Sequence, residues 1–163
     1  MVDAPDFRRV MSFWATGVSV VTAEGDEGPA GATANALSSL SLDPPLVLVC
    51  FDLSSRTLGA VRESQRFCIN VLAEGQDEVA RMFATKKSQE EKFAAIRHRS
   101  VRGTPVIDGC LGFLVCSLDS ELGRGDHVIA IGEVLHTRVD EDASPLLFYR
   151  SDYLRLPQNY PVS

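Results

Sequence analysis

The sequence predicts an α+β domain dominated by antiparallel strands, in its simplest form a small barrel with helices outside it. Three observations carry that expectation. Strand-length apolar runs recur at Val18–Ala23 and Leu46–Phe51, and Phe67, Ile69 and Val71 alternate with Cys68 and Asn70. Two long strand-like stretches, Leu111–Leu122 and His127–Val139, flank the turn-forming Gly123-Arg124-Gly125-Asp126. Helical spacing is confined to short segments between them.

Taken in order, Phe7, Val10, Met11 and Trp14 recur at i, i+3, i+4 and i+7. That spacing predicts a short amphipathic helix covering something, with Pro5 near its start and Gly17 beyond its end. Val18 to Ala23 is β-branched and strand-like, and Gly25-Asp26-Glu27-Gly28-Pro29 is a turn. A second strand enters Gly31-Ala32-Thr33-Ala34-Asn35-Ala36-Leu37-Ser38-Ser39-Leu40-Ser41-Leu42, which no charged residue interrupts before Asp43. Small side chains there let a flat ligand approach the backbone, and hydroxyls and the Asn35 amide offer donors and acceptors. A Ser-rich connection between strands is the plainer alternative. Pro44-Pro45 ends the segment, and Leu46 to Phe51 is expected to be buried on both faces.

Ser54 or Ser55 can cap the helix suggested by Leu58 and Val61. The free N–H groups of that helix start, two hydroxyls and Arg56 suit a phosphate, although a capped helix alone explains the same residues. Gln76, Val79, Ala80 and Phe83 repeat helical spacing, and Ser88-Gln89-Glu90-Glu91 is a capping box before Phe93 and Ile96. Between them Ala84-Thr85-Lys86-Lys87 forms a basic elbow. Pro105 to Asp108 reads as a short link, and Pro145 to Leu156 as one strand or two short ones, with a loose tail after Pro157.

The 163 residues fit one domain, with no internal repeat or linker. A net charge of -6 gives no footprint for nucleic acid. The start lacks a basic segment followed by an apolar one, and no apolar run approaches the ~20 residues of a membrane span. Cys50, Cys68, Cys110 and Cys116 form no CxxC pair. They read as buried free thiols of a cytoplasmic protein, and with three histidines no metal cluster is expected. No GxGxxG opens a helix, no P-loop is present, and no GxSxG elbow appears. His127, at the hairpin end, can stack on or hydrogen-bond to a ligand, or serve structure alone. Tyr149 and Tyr153 carry the same ambiguity.

Together these stretches resemble the flavin reductase family with the FMN-binding split-barrel fold, the reductase components of two-component flavin monooxygenases. The resemblance runs from about Phe7 to Leu156. It rests on Ala15-Thr16-Gly17-Val18-Ser19-Val20-Val21-Thr22, Gly31 to Ala36 leading into Ser39-Leu40-Ser41-Leu42-Asp43-Pro44-Pro45, Phe67-Cys68-Ile69-Asn70-Val71-Leu72, Gly125-Asp126-His127 and Gly132-Glu133-Val134. It implies a homodimer of Greek-key split barrels spanning residues 1–163. The implied reaction passes a hydride from NADH or NADPH to FMN or FAD, and reduced flavin then goes to a partner monooxygenase. Thr33, Ala34, Asn35, Ala36 and Ser39 would face the isoalloxazine ring. Asp52, Leu53, Ser54 and Ser55 would follow the ribityl chain and phosphate, with Phe83 and Ala84 on the far side. His127 matches the histidine associated with the nicotinamide. Tyr149-Arg150-Ser151 matches a nucleotide-contacting turn in which many members place glycine where Ser151 stands.

Overall fold

Half-buried alternation, turn glycines and capped short helices together dictate the order of elements. The computed structural model describes residues 2–157; the tail after Pro157, expected to be loose, lies outside them. The chain runs α1 (Ala4–Met11), β1 (Thr16–Gly17), β2 (Ser19–Gly25), β3 (Gly28–Ala34), β4 (Leu37–Leu42), β5 (Pro45–Asp52), α2 (Arg56–Ser64) and β6 (Arg66–Val71). It continues with α3 (Asp77–Ala84), α4 (Gln89–Ala94), β7 (His98–Val101), β8 (Thr104–Ile107), β9 (Gly112–Arg124), β10 (His127–Val139), β11 (Leu147–Tyr149) and β12 (Asp152–Leu154).

Seven strands form one antiparallel sheet in the order β3-β2-β6-β9-β10-β5-β4. Its two edges, β3 and β4, are consecutive in the chain and separated only by Asn35 and Ala36. They are not paired with each other, so the barrel is split there and does not close. Inward-pointing Val21, Val47, Val49, Phe51, Phe67, Ile69, Val128 and Ala130 fill the interior together with Leu58 and Val61 of α2. A second cluster, with Val18, Val20, Ala80, Phe83 and Phe93, seats α3 and α4 against the outer side of β2 and β3. Gly132, at a bulge in β10, lies under the Phe67 ring, where a Cβ would come within 2.4 Å of the ring carbon Cζ.

One polar network crosses this apolar interior. Asn70 on β6 is fully buried, donating to the Val20 carbonyl at 3.0 Å and to Thr22 Oγ1 at 3.0 Å. Its amide oxygen accepts from Ile107 N at 2.8 Å, and Thr22 donates onward to the Pro105 carbonyl. The β7–β8 hairpin is thereby tied to the barrel wall.

Several expectations change. Helix α1 forms, with Asp3 as its cap, but it ends at Met11 and covers nothing within the described chain: none of its residues is buried. β5 is fully buried on one face only, and its outward Leu46, Leu48 and Cys50 are partly buried because none of the described helices packs extensively on them. Pro105 to Asp108 is not a link. Thr104–Ile107 pairs with His98–Val101 as a hairpin, an arrangement set by Gly103 at φ +80° and long-range contacts rather than local alternation. The β9–β10 turn is only Gly125-Asp126, since Gly123 and Arg124 still pair with Val128 and His127. The four thiols are free, yet only Cys68 and Cys116 are fully buried. Burial pushes the Cys116 thiol up to about 12 and Cys68 higher still, so both are inert.

The stretch from Pro145 resolves into two short strands joined by a tight turn, in which Arg150 and Ser151 adopt φ of 50° and 66°. That left-handed backbone suits glycine. Ser151→Gly is therefore expected to stabilise the fold by up to about 1 kcal/mol, read as a higher melting temperature. No change or a decrease would show that the serine side chain contributes more than its backbone costs.

Candidate functional site

The split in the barrel brings several of the sequence-predicted residues to one end. Ala36 follows the break after β3, and its carbonyl accepts from Cys50 N at 2.9 Å. This sets it beside the end of β5, two residues before Asp52. Asp52 is in turn the register partner of His127, and Leu53 N donates to the Asp126 carbonyl at 3.1 Å. Three candidate segments far apart in sequence thus share one rim.

Locally, several of these groups also hold the rim in shape. Thr33 Oγ1 donates to the Ala80 carbonyl at 2.6 Å, fixing β3 to α3. Ser19 Oγ donates to the Ala34 carbonyl at 2.6 Å, and Asn35 Nδ2 donates to Thr16 Oγ1 at 3.3 Å. Ser39 is exposed on β4, farther along the edge and opposite Val47. Phe83 is 1% exposed and packs edge-on against Phe93, with Gly31 directly beneath its ring. Its side chain is core, and Ala84 at the end of α3 is the exposed member of that pair.

The loop after β5 is built on Asp52. One carboxylate oxygen accepts from Ser54 N at 2.7 Å and from Ser54 Oγ at 2.5 Å. Those two bonds, the hydroxyl first, hold the Asp52 carboxyl below its usual range. Ser55 caps α2 by accepting from Leu58 N. Arg56 Nη2 donates to the Lys87 carbonyl at 2.6 Å, drawing the basic elbow toward the start of α2. Behind it Lys92 is buried and gives its ammonium to the Phe83 carbonyl at 3.2 Å. Desolvation, and then the charge of Arg56, push its pKa down.

His127 Nδ1 lies 2.7 Å from Asp126 Oδ1. The carboxylate can only accept, so Nδ1 carries the proton and Nε2 of the half-exposed ring remains available outward. The same bond lowers the Asp126 pKa. The contribution of Asp52 and Asp126 is therefore present above the ordinary aspartate value and fades only as pH falls through the lowered one.

Tyr149 stands edge-on to Phe13, and Arg150 lies over that same Phe13 ring. The turn thus leans on the segment after α1, while Phe148 and Tyr153 of its two strands face Thr33, Asn35 and Ala84 across a small pocket. Sequence reasoning missed Phe148, Asp126 and Gln89. Gln89 accepts from Gly31 N at 2.9 Å, and its only sequence signal was membership of the capping motif. Asp126 was signalled by its place in the Gly125-Asp126-His127 turn, without a role of its own.

Chemically, the rim offers an uncharged stretch of small and hydroxyl residues at one side. At the other it offers Arg56, Lys86, Lys87 and a capped helix start. That donor set fits a flat heteroaromatic ligand with a phosphate-bearing tail, and the residues present fit a flavin nucleotide. The class so defined is an open antiparallel barrel that presents such a ligand at its edge.

The chain belongs to the flavin reductase family: the family model described as "Flavin reductase like domain" matches residues 11–157. It is 40% identical over 155 residues to the reductase subunit HsaB of a flavin-dependent monooxygenase from Mycobacterium tuberculosis, covering 93% of this chain and 82% of that one. A flavin reductase of Pseudomonas putida is 38% identical over 154 residues, covering 93% and 89%. Among solved structures, the NADH:FAD oxidoreductase SgcE6 of Streptomyces globisporus, in complex with NAD and FAD fragments, superposes with a TM-score of 0.90. It is 32% identical, and the match covers 99% of each chain.

Proposed function

We propose that this chain, a single flavin-reductase domain over residues 1–163, is an NAD(P)H-dependent flavin reductase. It transfers a hydride from NADH or NADPH to FMN or FAD and supplies reduced flavin to a flavin-dependent monooxygenase. The observation that carries this is the meeting of residues 33–36, 52–55, 84 and 127 at one end of a barrel that belongs to this family throughout. Flavin, when bound, supplies the hydride-accepting ring, and the dinucleotide supplies the hydride. The chain's part is positioning. Thr33, Ala34, Asn35, Ala36 and Ser39 line the ring side, and Asp52, Leu53, Ser54 and Ser55 line the tail side with Ala84 and the backbone of Phe83 opposite. His127 orders the nicotinamide, and Tyr149, Arg150 and Ser151 contact the nucleotide. Mixing the protein with NADH or NADPH and free FMN or FAD should give flavin-dependent loss of absorbance at 340 nm. No oxidation with any of the four pairs would overturn the assignment.

Ser54→Ala combined with Ser55→Ala is expected to weaken FMN binding by roughly 1–3 kcal/mol, the scale of losing hydrogen bonds to a charged group. Riboflavin, which lacks the phosphate, should be affected much less. Because Ser55 caps α2, the double variant also loses about 1 kcal/mol of stability, which calorimetry separates from binding. Equal losses for FMN and riboflavin would remove the phosphate role.

The protein acts as a homodimer in the cytoplasm. Supporting the dimer, Leu46, Leu48 and Cys50 of β5 and their register neighbours Ile129 and Ile131 form a partly buried apolar sheet face against which none of the described helices packs extensively. Phe7, Val10, Phe13 and Trp14 are exposed as well, at 60%, 71%, 55% and 70%. Light scattering should give twice the 17.7 kDa chain mass at micromolar concentration, and a monomer mass would contradict it. No helix among the described residues is long and apolar enough to cross a membrane.

A further inference from the structure

Where β3 leaves the barrel wall, α3 ends and the β11–β12 hairpin folds back, Val18, Thr33, Asn35, Ala84, Phe148 and Tyr153 enclose a pocket of about 170 Å³. Phe148 and Tyr153 are cross-strand partners with ring centroids 5.3 Å apart, inclined at 54°. Both are partly buried against the cluster that contains Val18, Ala80 and Phe83, so their backs are fixed. The Arg81 guanidinium lies 4.8 Å from the centroid of the Tyr153 ring and pins it further. Burial raises the phenol pKa, which keeps the ring neutral.

The polar groups of the pocket are mostly engaged. Thr33 Oγ1 is committed to Ala80 and Asn35 Nδ2 to Thr16, which leaves the Asn35 amide oxygen as the acceptor at the rim. The space is well below the ~300 Å³ at which pockets begin to hold whole drug-sized ligands. A space of that size, lined by the Phe148 and Tyr153 rings together with Val18, Thr33, Asn35 and Ala84, has room for one ring.

We infer that this pocket is a subsite for a single planar aromatic ring, with Tyr153 and Phe148 as its stacking wall. The inference rests on the flavin reductase reading and adds Phe148, Tyr153 and Arg81 to its binding surface. Two sources of such a ring take part in that reaction: the dimethylbenzene end of the flavin, and the nicotinamide of the dinucleotide. Thr33, Asn35 and Ala84 are shared with the proposed flavin contacts, whereas Phe148 and Tyr153 are not, so the wall is a separate determinant of affinity.

The test uses the full chain and two minimal probes, lumiflavin for the flavin ring and nicotinamide mononucleotide for the other. Binding is followed by flavin fluorescence quenching and by calorimetry. Tyr153→Leu keeps an apolar side chain but removes the ring, and should weaken one of the two probes about tenfold, or ~1.4 kcal/mol. Tyr153→Phe should bind that probe like the parent. The probe that weakens names the ring. Should Tyr153→Leu fail to fold, Phe148→Leu, at the other partly buried ring of the wall, should produce the same loss. Parent-like binding of both probes by a folded Tyr153→Leu or Phe148→Leu protein would overturn the subsite. Equal losses in Tyr153→Phe and Tyr153→Leu would overturn the stacking wall. Either result leaves NADH-dependent flavin reduction by the parent intact, so failure of the subsite is distinguishable from failure of the proposed activity.

Discussion

Asn70→Ala is expected to cost about 3 kcal/mol of stability, because it strands buried partners that water cannot reach. Asn70 is fully buried and serves Val20, Thr22 and Ile107 at 3.0, 3.0 and 2.8 Å. Truncation leaves the Ile107 N–H and the Val20 carbonyl each short of this partner and opens a void at the centre of the wall. For a chain of this length that corresponds to a fall in melting temperature of roughly 10 °C. Asn70→Asp keeps the size and the acceptor for Ile107 but loses the amide donor and buries a carboxyl, so it should not rescue. Thermal unfolding of the two variants checks this. A loss under about 1 kcal/mol for Asn70→Ala would mean that water replaces the side chain and that the network contributes little.

His127→Ala should leave flavin affinity and melting temperature nearly unchanged, while the apparent KM for NADH rises and flavin reduction slows about tenfold, the factor for ~1.4 kcal/mol of lost positioning. The motivation is geometric. Its Nδ1 is held by Asp126 at 2.7 Å, so the ring is oriented with Nε2 outward at the rim, opposite Asp52 in the register. No proton moves in a hydride transfer, so the imidazole supplies orientation and not acidity. His127→Asn retains a hydrogen-bonding side chain and should keep more activity than alanine. Asp126→Ala, which frees the ring without removing it, should raise KM for NADH less than His127→Ala does. Stopped-flow reduction and steady-state kinetics decide the matter. A variant that unfolds, or that reduces flavin at the parent rate, would return His127 to a structural role.

Most of the long strands, the short helices, the caps at Ser55 and Ser88 and the β9–β10 hairpin were legible because each depends on neighbours a few residues away, whereas the β7–β8 hairpin was read as a link. Asp52 with Ser54, the Ser88–Glu91 capping box and the alternation in β6 are local chemistry. The resemblance added the order of segments and the expectation of a flavin rim. The chain by itself could not say that β3 and β4 become the two unpaired edges of one sheet, because that follows from β2–β6, β6–β9 and β5–β10 pairings between residues far apart in sequence. Those pairings bring Ala36, Asp52 and His127 to one rim, while the separate β1–β11–β12 sheet stands Phe148 and Tyr153 opposite Thr33 and side-chain hydrogen bonds hold the β7–β8 hairpin over Asn70. They also leave Leu46, Leu48 and Cys50 only partly buried on the outer side, where apolar composition alone implied burial on both faces. Hydrophobicity determines that a strand has a buried side; which layer lies over its other side is set only when the helices choose the face of the sheet they cover.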